Sequence, residues 1–302
     1  MKNFKSAIVT GAAGFTGATL VTELLLEGIE VFAIVRPNSL HNFRLPSSNP
    51  LLHIIELEPD NYLYINQYIN NRCDIFYHLM WTDGVSINDQ RKNIDYSLYA
   101  IKSAVQCGCS RFICTGSQAE YGIVPMNTLT TEDLTANPIT AYGKAKYEAC
   151  VKTKTFAQKN DIDWIWARIF SLIGKYEPPK RMLPTLFLNL NSNKITYLSS
   201  CHQNWDYLDV HDAASALIAL GKKGANGEIY NIANGNYKPL KEYTEQLKSL
   251  VSTEATIVYG KDPDPFISLQ PSIIKINQDT DWFPFRSFKE SIDDYYVDLL
   301  NN

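Results

Sequence analysis

The sequence predicts an α/β fold: a doubly wound parallel sheet carrying a smaller cap that is discontinuous along the chain. Three observations support this. Short β-rich runs and helical stretches alternate through the first two-thirds of the 302 residues. Alternation of that kind produces parallel strands with helices on both faces. A glycine triplet, Gly11, Gly14 and Gly17, joins the first run to the first helical stretch. After Gly174 the alternation gives way to a loop rich in proline and charge, Lys175-Tyr-Glu-Pro-Pro-Lys-Arg181.

The opening run Ala7-Ile8-Val9-Thr10 is a strand, and residues 19–27 beyond the glycines form the first helix. A strand, a tight turn and a helix N-terminus in that order expose backbone N–H groups and the positive end of the helix dipole, a seat for a pyrophosphate. Gly11 lets the chain turn, Gly14 lets the backbone approach the ligand, and Gly17 lets the helix pack close to the sheet. With the strand before it and the helix after it, the triplet reads as Rossmann-like. Further strands are expected at Glu30–Val35, 52–57, 74–79, 111–115 and Asp163–Ile169, with helices at 61–69, 88–106 and 141–158. Ligands on such a sheet bind beyond the carboxyl ends of the strands. Past Gly174 a helix at 183–189 and a short strand at 195–198 begin the cap. Residues 205–210, a helix at 212–220 and a strand at Glu228–Ile232 are expected to return to the main sheet. Leu240–Val251, 256–258 and Phe288–Leu300 complete the cap. The expected division is 1–174 plus 205–235 for dinucleotide binding and 175–204 plus 236–302 for the substrate cap, with the substrate in the cleft between them.

Hydrophobic content of 45% and charged content of 20% are those of an ordinary globular protein. A net charge of −4 gives no reason to expect a nucleic acid or an anionic membrane as partner. No apolar stretch reaches the length of a membrane span. The first apolar run leads into the glycine turn, so it reads as a strand rather than a leader. Six cysteines without framework spacing read as reduced thiols and place the protein in the cytoplasm. Cys107-Gly-Cys109 has no second cluster or nearby histidine, so no metal is expected.

Tyr142-Gly-Lys-Ala-Lys146 opens the longest helix, and its i, i+4 spacing puts Tyr142 and Lys146 on one face. A nearby ammonium favours the phenolate and is expected to lower the tyrosine's pKa, making it an acid/base near neutrality. An ordinary surface helix would carry the same short pattern. Ser117 lies at the end of the strand at 111–115, where its hydroxyl is placed either to bind a substrate oxygen or to cap a turn.

At this point the chain resembles the extended short-chain dehydrogenase/reductases, the nucleotide-sugar epimerases, dehydratases and reductases. The resemblance covers nearly the whole chain. It rests on the glycine triplet, on Asp74-Ile-Phe-Tyr-His78-Leu-Met-Trp81, on Asn93, on Ser117 with Tyr121-Gly122, and on Pro138 ahead of Tyr142 and Lys146. Arg168-Ile-Phe-Ser171 with Gly174, and Trp205-Asp-Tyr-Leu-Asp-Val210 with Asp212, extend it. It implies a nicotinamide dinucleotide lying against Gly11, Gly14, Phe15, Thr16 and Gly17. Further contacts are implied at Arg36 and Asn38, at Leu57, at Leu79, Met80 and Trp81, and at Thr115 and Ile169. Tyr142 would be the acid/base, Lys146 would meet the nicotinamide ribose, and Ser117 the reacting oxygen. It also implies homodimers packed through residues 93–106 and 141–158.

Three details narrow the reaction. The second strand ends in Val35-Arg36-Pro37-Asn38-Ser39. An acid there would bind ribose hydroxyls, whereas an Arg suits a 2′-phosphate. Arg36 with Asn38 and Ser39 therefore favours NADP(H) over NAD(H), although the same Arg36 can stack on adenine or point to water. Dehydratases of this family carry an Asp-Glu pair after the hydroxyl residue, where this chain has Gln118 and Ala119, so dehydration is not expected. A reductase consumes a hydride each turnover, which suits the NADPH pool, whereas an epimerase returns it. The sequence looks most like the branch that reduces 4-keto deoxysugars on nucleotides, including CDP-abequose and dTDP-6-deoxyhexose 4-reductases, for surface polysaccharide or glycan sugars. A nucleotide-sugar 4-epimerase and a non-catalytic dinucleotide sensor or scaffold are the alternatives. Trp205 stands where many relatives have Arg for the diphosphate, and Ser171 where many have Asn. The expected substrate contacts are then Trp81, Ser117, Gln118, Ser171 and Arg181, with Lys180 beside it. Trp81 reads equally as a wall of the sugar site and as core, and the loop cations as ligands or as solvated charge.

Overall fold

The computed structural model describes residues 4–69, 72–84, 86–126, 128–251, 254–264 and 267–300, with side chains to 296. In chain order the main layers run β1 (Ser6–Thr10), α1 (Phe15–Leu26), β2 (Glu30–Val35), β3 (Leu52–Glu56), β4 (Ile75–His78), α2 (Ile87–Gln106), β5 (Arg111–Ser117), α3 (Ala141–Asn160) and β6 (Asp163–Ile169). There follow β7 (Ser171–Ile173), α4 (Met182–Asn191), β8 (Thr196–Tyr197), β9 (Asn204–Trp205), β10 (Tyr207–Asp209), α5 (Val210–Lys223) and β11 (Glu228–Ile232). The chain closes with β12 (Lys238–Pro239), α6 (Leu240–Val251), β13 (Ile257–Val258), α7 (Ile274–Thr280) and α8 (Phe288–Leu300).

Seven strands form one parallel sheet in the order β11-β6-β5-β4-β1-β2-β3. Chain order reverses between β1 and β4. A crevice therefore opens beyond their carboxyl ends, flanked by the glycine turn after β1 and by Leu79, Met80 and Trp81 after β4. The architecture is Rossmann-like α/β, as the alternation predicts. One face packs α1 and α5 through Leu20, Leu24, Ala213 and Leu217. The other packs α2 and α3 through Ile94, Ile101, Ala149 and Trp166. A third apolar cluster joins α4, α6 and α8 through Leu183, Phe187, Tyr243, Leu247 and Tyr295.

Several elements differ from the sequence reading, each for a local reason. The first helix begins at Phe15, not 19, because Gly14 serves as its N-cap directly out of the turn. Residues Pro59–Gln67 form a 3-10 helix rather than an α-helix. Their inward anchors, Tyr62 and Ile65, are three apart, the spacing that eclipses in a 3-10 turn. Residues 205–210 do not rejoin the main sheet. β10 pairs with β7, and β9 pairs antiparallel with β12. Asp206 lies between them, fully buried, its carboxylate accepting the backbone N–H groups of Asn234 and Gly235, each at 2.8 Å. Of the segments assigned to the cap, α7 instead packs on α5 and β11 beside the main sheet.

Candidate active site

The glycine turn is built as its spacing demands. Gly11 has φ of +71°, and a Cβ at Gly17 would fall 2.1 Å from the Gly11 carbonyl oxygen, so α1 lies tight against the turn. Among the described residues no side chain caps α1, and no acid occupies its first turn. The first-turn N–H groups have no intrahelical acceptor, which leaves the positive helix end for an anion. Two guanidiniums flank this turn. Arg44 Nη1 donates to the Ala13 carbonyl at 3.4 Å, and the Arg181 guanidinium stands 5.6 Å from the Phe15 ring centre. Arg181 is thus brought to the crevice from the N-terminal end of α4. No motif in the sequence marks Arg44, which ends a three-residue 3-10 turn, Asn42–Arg44, eight residues past Arg36.

Arg36 and Asn38 follow β2, and Leu57 follows β3, so all three stand at the carboxyl edge of the sheet beside the turn. Asn38 adopts a left-handed conformation, φ +54°. Leu57 is buried, its N–H bonded to the Val35 carbonyl. Met80 is buried beneath Gly11, whose added Cβ would meet its backbone at 2.8 Å. Leu79 donates its N–H to the Thr10 carbonyl. Thr115 is buried on β5, and its hydroxyl donates to the His78 carbonyl at 3.4 Å. His78 is wholly buried between the Thr10 and Ser97 hydroxyls, at 2.8 and 3.2 Å. Burial, helped by the charge of Lys146, pushes its pKa down to about 3, so it is neutral and structural. Ile169 ends β6, while Ser171 belongs to β7, paired with Tyr207 outside the main sheet.

Ser117 is the last residue of β5 and caps a short 3-10 turn, Gln118–Glu120, its hydroxyl accepting the Ala119 N–H at 3.2 Å. The capping reading of Ser117 is therefore realised, at a place that also faces Tyr142. A Cβ on Gly143 would fall 2.4 Å from the Ala119 carbonyl oxygen, so α3 presses its N-terminus onto this turn. The Thr140 hydroxyl caps that end, accepting the Gly143 N–H at 3.0 Å. Tyr142 is thereby brought to Ser117 with 37% of its surface exposed.

The expected lowering of the Tyr142 pKa by Lys146 is not found. Burial of the phenol raises it, while hydrogen bonding with Ser117 and the charge of Arg181 act the other way. The Lys146 ammonium points elsewhere: it donates to the Thr115 carbonyl at 2.8 Å and lies 3.7 Å from the Trp81 ring centre, but 5.9 Å from that of Tyr142. Its own pKa is pulled down to about 8, chiefly by burial. The Trp81 and Tyr142 rings lie nearly perpendicular, centres 6.0 Å apart, so Trp81 packs against the helix that carries the tyrosine.

Behind Ser117 lies a buried ion pair that the sequence reading did not single out. Glu120 Oε1 accepts the Ser117 N–H at 2.8 Å and the Trp166 indole N–H at 2.9 Å, and Oε2 pairs with Arg168 Nε at 2.9 Å. Both side chains are almost wholly buried. Burial opposes the Arg168 charge, but Glu120 and Tyr121 hold it firmly protonated. The Arg168 guanidinium also lies 4.4 Å from the Tyr121 ring centre, and the Tyr121 hydroxyl donates to Asn231 at 2.7 Å. The Trp205 indole N–H is buried and finds no acceptor among the described residues. Among the described residues no cluster of His, Cys, Asp and Glu could hold a metal, and no helix is long and apolar enough to cross a membrane. All six cysteines are buried and unbridged.

Residues 7–233 match the NAD dependent epimerase/dehydratase family. A dTDP-6-deoxy-L-talose 4-dehydrogenase (NAD(P)(+)) of Kitasatospora kifunensis is 23% identical over 94% of this chain and 92% of its own length. Among solved structures, the UDP-glucose 4-epimerase of Thermotoga maritima with UDP-glucose has a TM-score of 0.85 at 22% identity, covering 98% of this chain and 99% of that one. RMD from Pseudomonas aeruginosa, complexed with NADPH, has a TM-score of 0.78 at 20% identity, covering 97% and 99%. With three-quarters of its length matched and its glycine turn, Tyr142, Lys146 and Ser117 gathered at one sheet edge, the chain belongs to the NAD dependent epimerase/dehydratase family.

Proposed function

We propose that the protein reduces the 4-keto group of a nucleotide-linked deoxysugar, CDP- or dTDP-linked, with NADPH, for surface polysaccharide or glycan sugars. The observation that carries this is the approach of Tyr142 to Ser117, with the Lys146 ammonium on the neighbouring Thr115 carbonyl, at the sheet edge that carries the glycine turn. The uncapped N-terminus of α1, free of acids, suits the coenzyme pyrophosphate. Arg36 suits a 2′-phosphate, and RMD is complexed with NADPH, while other structural neighbours hold NAD.

A bound dihydronicotinamide supplies the hydride. Ser117 donates its hydroxyl hydrogen bond to the carbonyl oxygen, and Tyr142 transfers its proton there as the alcohol forms. A phenol raised above its ordinary value is protonated at neutral pH, the form a reduction requires. Lys146, largely protonated at pH 7, holds the ribose. Gln118 and Ala119 offer no carboxylate for dehydration. Arg181, with Lys180 next to it, takes the substrate diphosphate in place of the Arg replaced by Trp205. The division into 1–174 plus 205–235 for coenzyme and 175–204 plus 236–302 for substrate remains our reading, with α7 set against the coenzyme layer. A homodimer would use α2 and α3, where Tyr147 and Val151 expose 38% and 48% of their surface one turn apart.

The test mixes protein, NADPH and a panel of 4-keto-sugar nucleotides and follows absorbance of the reduced coenzyme. Stoichiometric loss is expected. No loss, with a plain nucleotide sugar epimerised at C4 instead, would favour the epimerase and overturn the reductase.

A further inference from the structure

Lys146 is 3% exposed, and among the described residues no carboxylate lies within ion-pair distance of it. A buried ammonium has three donors to satisfy and a charge to stabilise. Here the Thr115 carbonyl takes one donor at 2.8 Å, and the Trp81 ring takes the charge on its face at 3.7 Å. The indole is itself fixed. Its N–H donates to Gln90 Oε1 at 2.9 Å, and buried Gln90 donates from Nε2 to the Gly84 carbonyl at 2.6 Å. One turn along α2, Asn93 grips the same segment: its Oδ1 accepts from the Thr82 N–H and hydroxyl, and its Nδ2 donates to the Thr82 carbonyl. The Tyr142 ring stands perpendicular to the indole, ring centres 6.0 Å apart. Packing alone requires neither a face turned to an ammonium nor an N–H anchored on a buried amide.

We propose that the Trp81 indole, locked by Gln90, is the resting seat of the Lys146 ammonium and holds it against the Thr115 carbonyl. Trp81 is in this account a positioning residue acting through Lys146. The role assigned to Lys146 rests on the proposed function, but its seat does not. With coenzyme bound, Lys146 would exchange this π face for ribose hydroxyls, so the seat would compete with the ribose while keeping the ammonium near it. Cys114 on β5, Glu120 in the following turn, His78 on β4 and Tyr142 on α3 are the other titratable groups around this ammonium.

The experiment titrates Lys146 in coenzyme-free protein by NMR of carbon-labelled lysine, with Lys146→Met to assign the signal. Trp81→Leu keeps the site apolar but removes the π face, and Trp81→Phe keeps a face without the Gln90 anchor. The proton affinity of Lys146 is expected to fall about tenfold in Trp81→Leu, as loss of a desolvated cation–π contact implies, and by less than about threefold in Trp81→Phe. An unchanged midpoint in folded Trp81→Leu would overturn the proposal, as would equal falls in both variants. If Trp81→Leu does not fold, Gln90→Met decides: a released indole is expected to broaden or shift the Lys146 signal, and an unaltered signal overturns the seat. Addition of NADPH is expected to move the Lys146 signal in the parent protein. Failure of that arm alone counts against the proposed function and leaves the seat standing.

Discussion

Replacing Glu120 by Gln tests the most costly interaction in the site. The carboxylate accepts three hydrogen bonds, from the Ser117 N–H, the Trp166 N–H and Arg168 Nε. A glutamine amide has one acceptor atom where the carboxylate has two. Whichever way it turns, its NH2 meets a donor: Arg168 on one side, or Ser117 and Trp166 on the other. It also leaves Arg168, 2% exposed, without its counter-charge. Breaking a buried pair from one side costs about 3–5 kcal/mol. Glu120→Gln and Arg168→Met are each expected to lose that much in urea denaturation, followed by tryptophan fluorescence because Trp166 reports directly on Glu120. The double variant is expected to recover at least about 2 kcal/mol of the summed losses, since no isolated charge remains. A Glu120→Gln loss under about 1 kcal/mol, or strict additivity in the cycle, would refute the reasoning.

Other outcomes follow from single contacts. Tyr142→Phe should lower turnover at least about 100-fold, with NADPH affinity by calorimetry within about threefold; retained turnover would remove the phenol from the chemistry. Arg36→Ala should weaken NADPH about 10- to 100-fold and leave NADH nearly unchanged, from the loss of a charged hydrogen bond; equal weakening of both would contradict a 2′-phosphate contact. Glu177 is buried, and burial pushes its carboxyl up to about 8 from an unfolded value of 4.5. A raised folded value gives stability that is complete below the unfolded value and lost as pH rises through about 8. Glu177→Gln should therefore match the parent near pH 4 and exceed it by on the order of 4 kcal/mol at pH 9 in urea denaturation; no gain there would count against a neutral Glu177. Gly17→Ala would put a methyl 2.1 Å from the Gly11 carbonyl, so the turn must open, and coenzyme binding should drop beyond detection by calorimetry.

What was legible in the sequence was whatever a period or a local spacing encodes. β2, β6 and β11 occupy the predicted residues because each is a continuous β-rich run buried in the sheet. The positions of the glycine triplet and of the Tyr142–Lys146 pair were legible because local spacing sets them, three glycines three apart through one turn and i, i+4 on one helix. Interactions between elements were not. Glu120 and Arg168 lie 48 residues apart and meet only because β5 and β6 are neighbours in the sheet. Nor does the i, i+4 spacing say which way a lysine turns: Lys146 is on the same helix face as Tyr142, yet its flexible stem takes the ammonium to Thr115 and Trp81. The 205–210 segment looks like a sheet strand by composition, and the inward turn of Asp206 that splits it depends on N–H groups 28 and 29 residues away.

The ion pair beneath Ser117 raises the question of why a fold would bury two charges there. Apolar residues of the same volume would often be as stable, so net stability is a weak reason. Geometry is a stronger one. Glu120 holds the backbone N–H of Ser117, which orients the last residue of β5 and the turn that follows. That turn presents the Ala119 carbonyl, against which Gly143 sets the depth of α3, and α3 carries Tyr142 and Lys146. A carboxylate with three fixed donors has one arrangement that satisfies all of them, whereas an apolar side chain would pack in several. The directional bonds behind the strand therefore fix the relative position of a hydroxyl and a phenol on two different elements. A reaction that needs both on one oxygen tolerates little error in that distance, on the order of an ångström before about 100-fold in rate is lost.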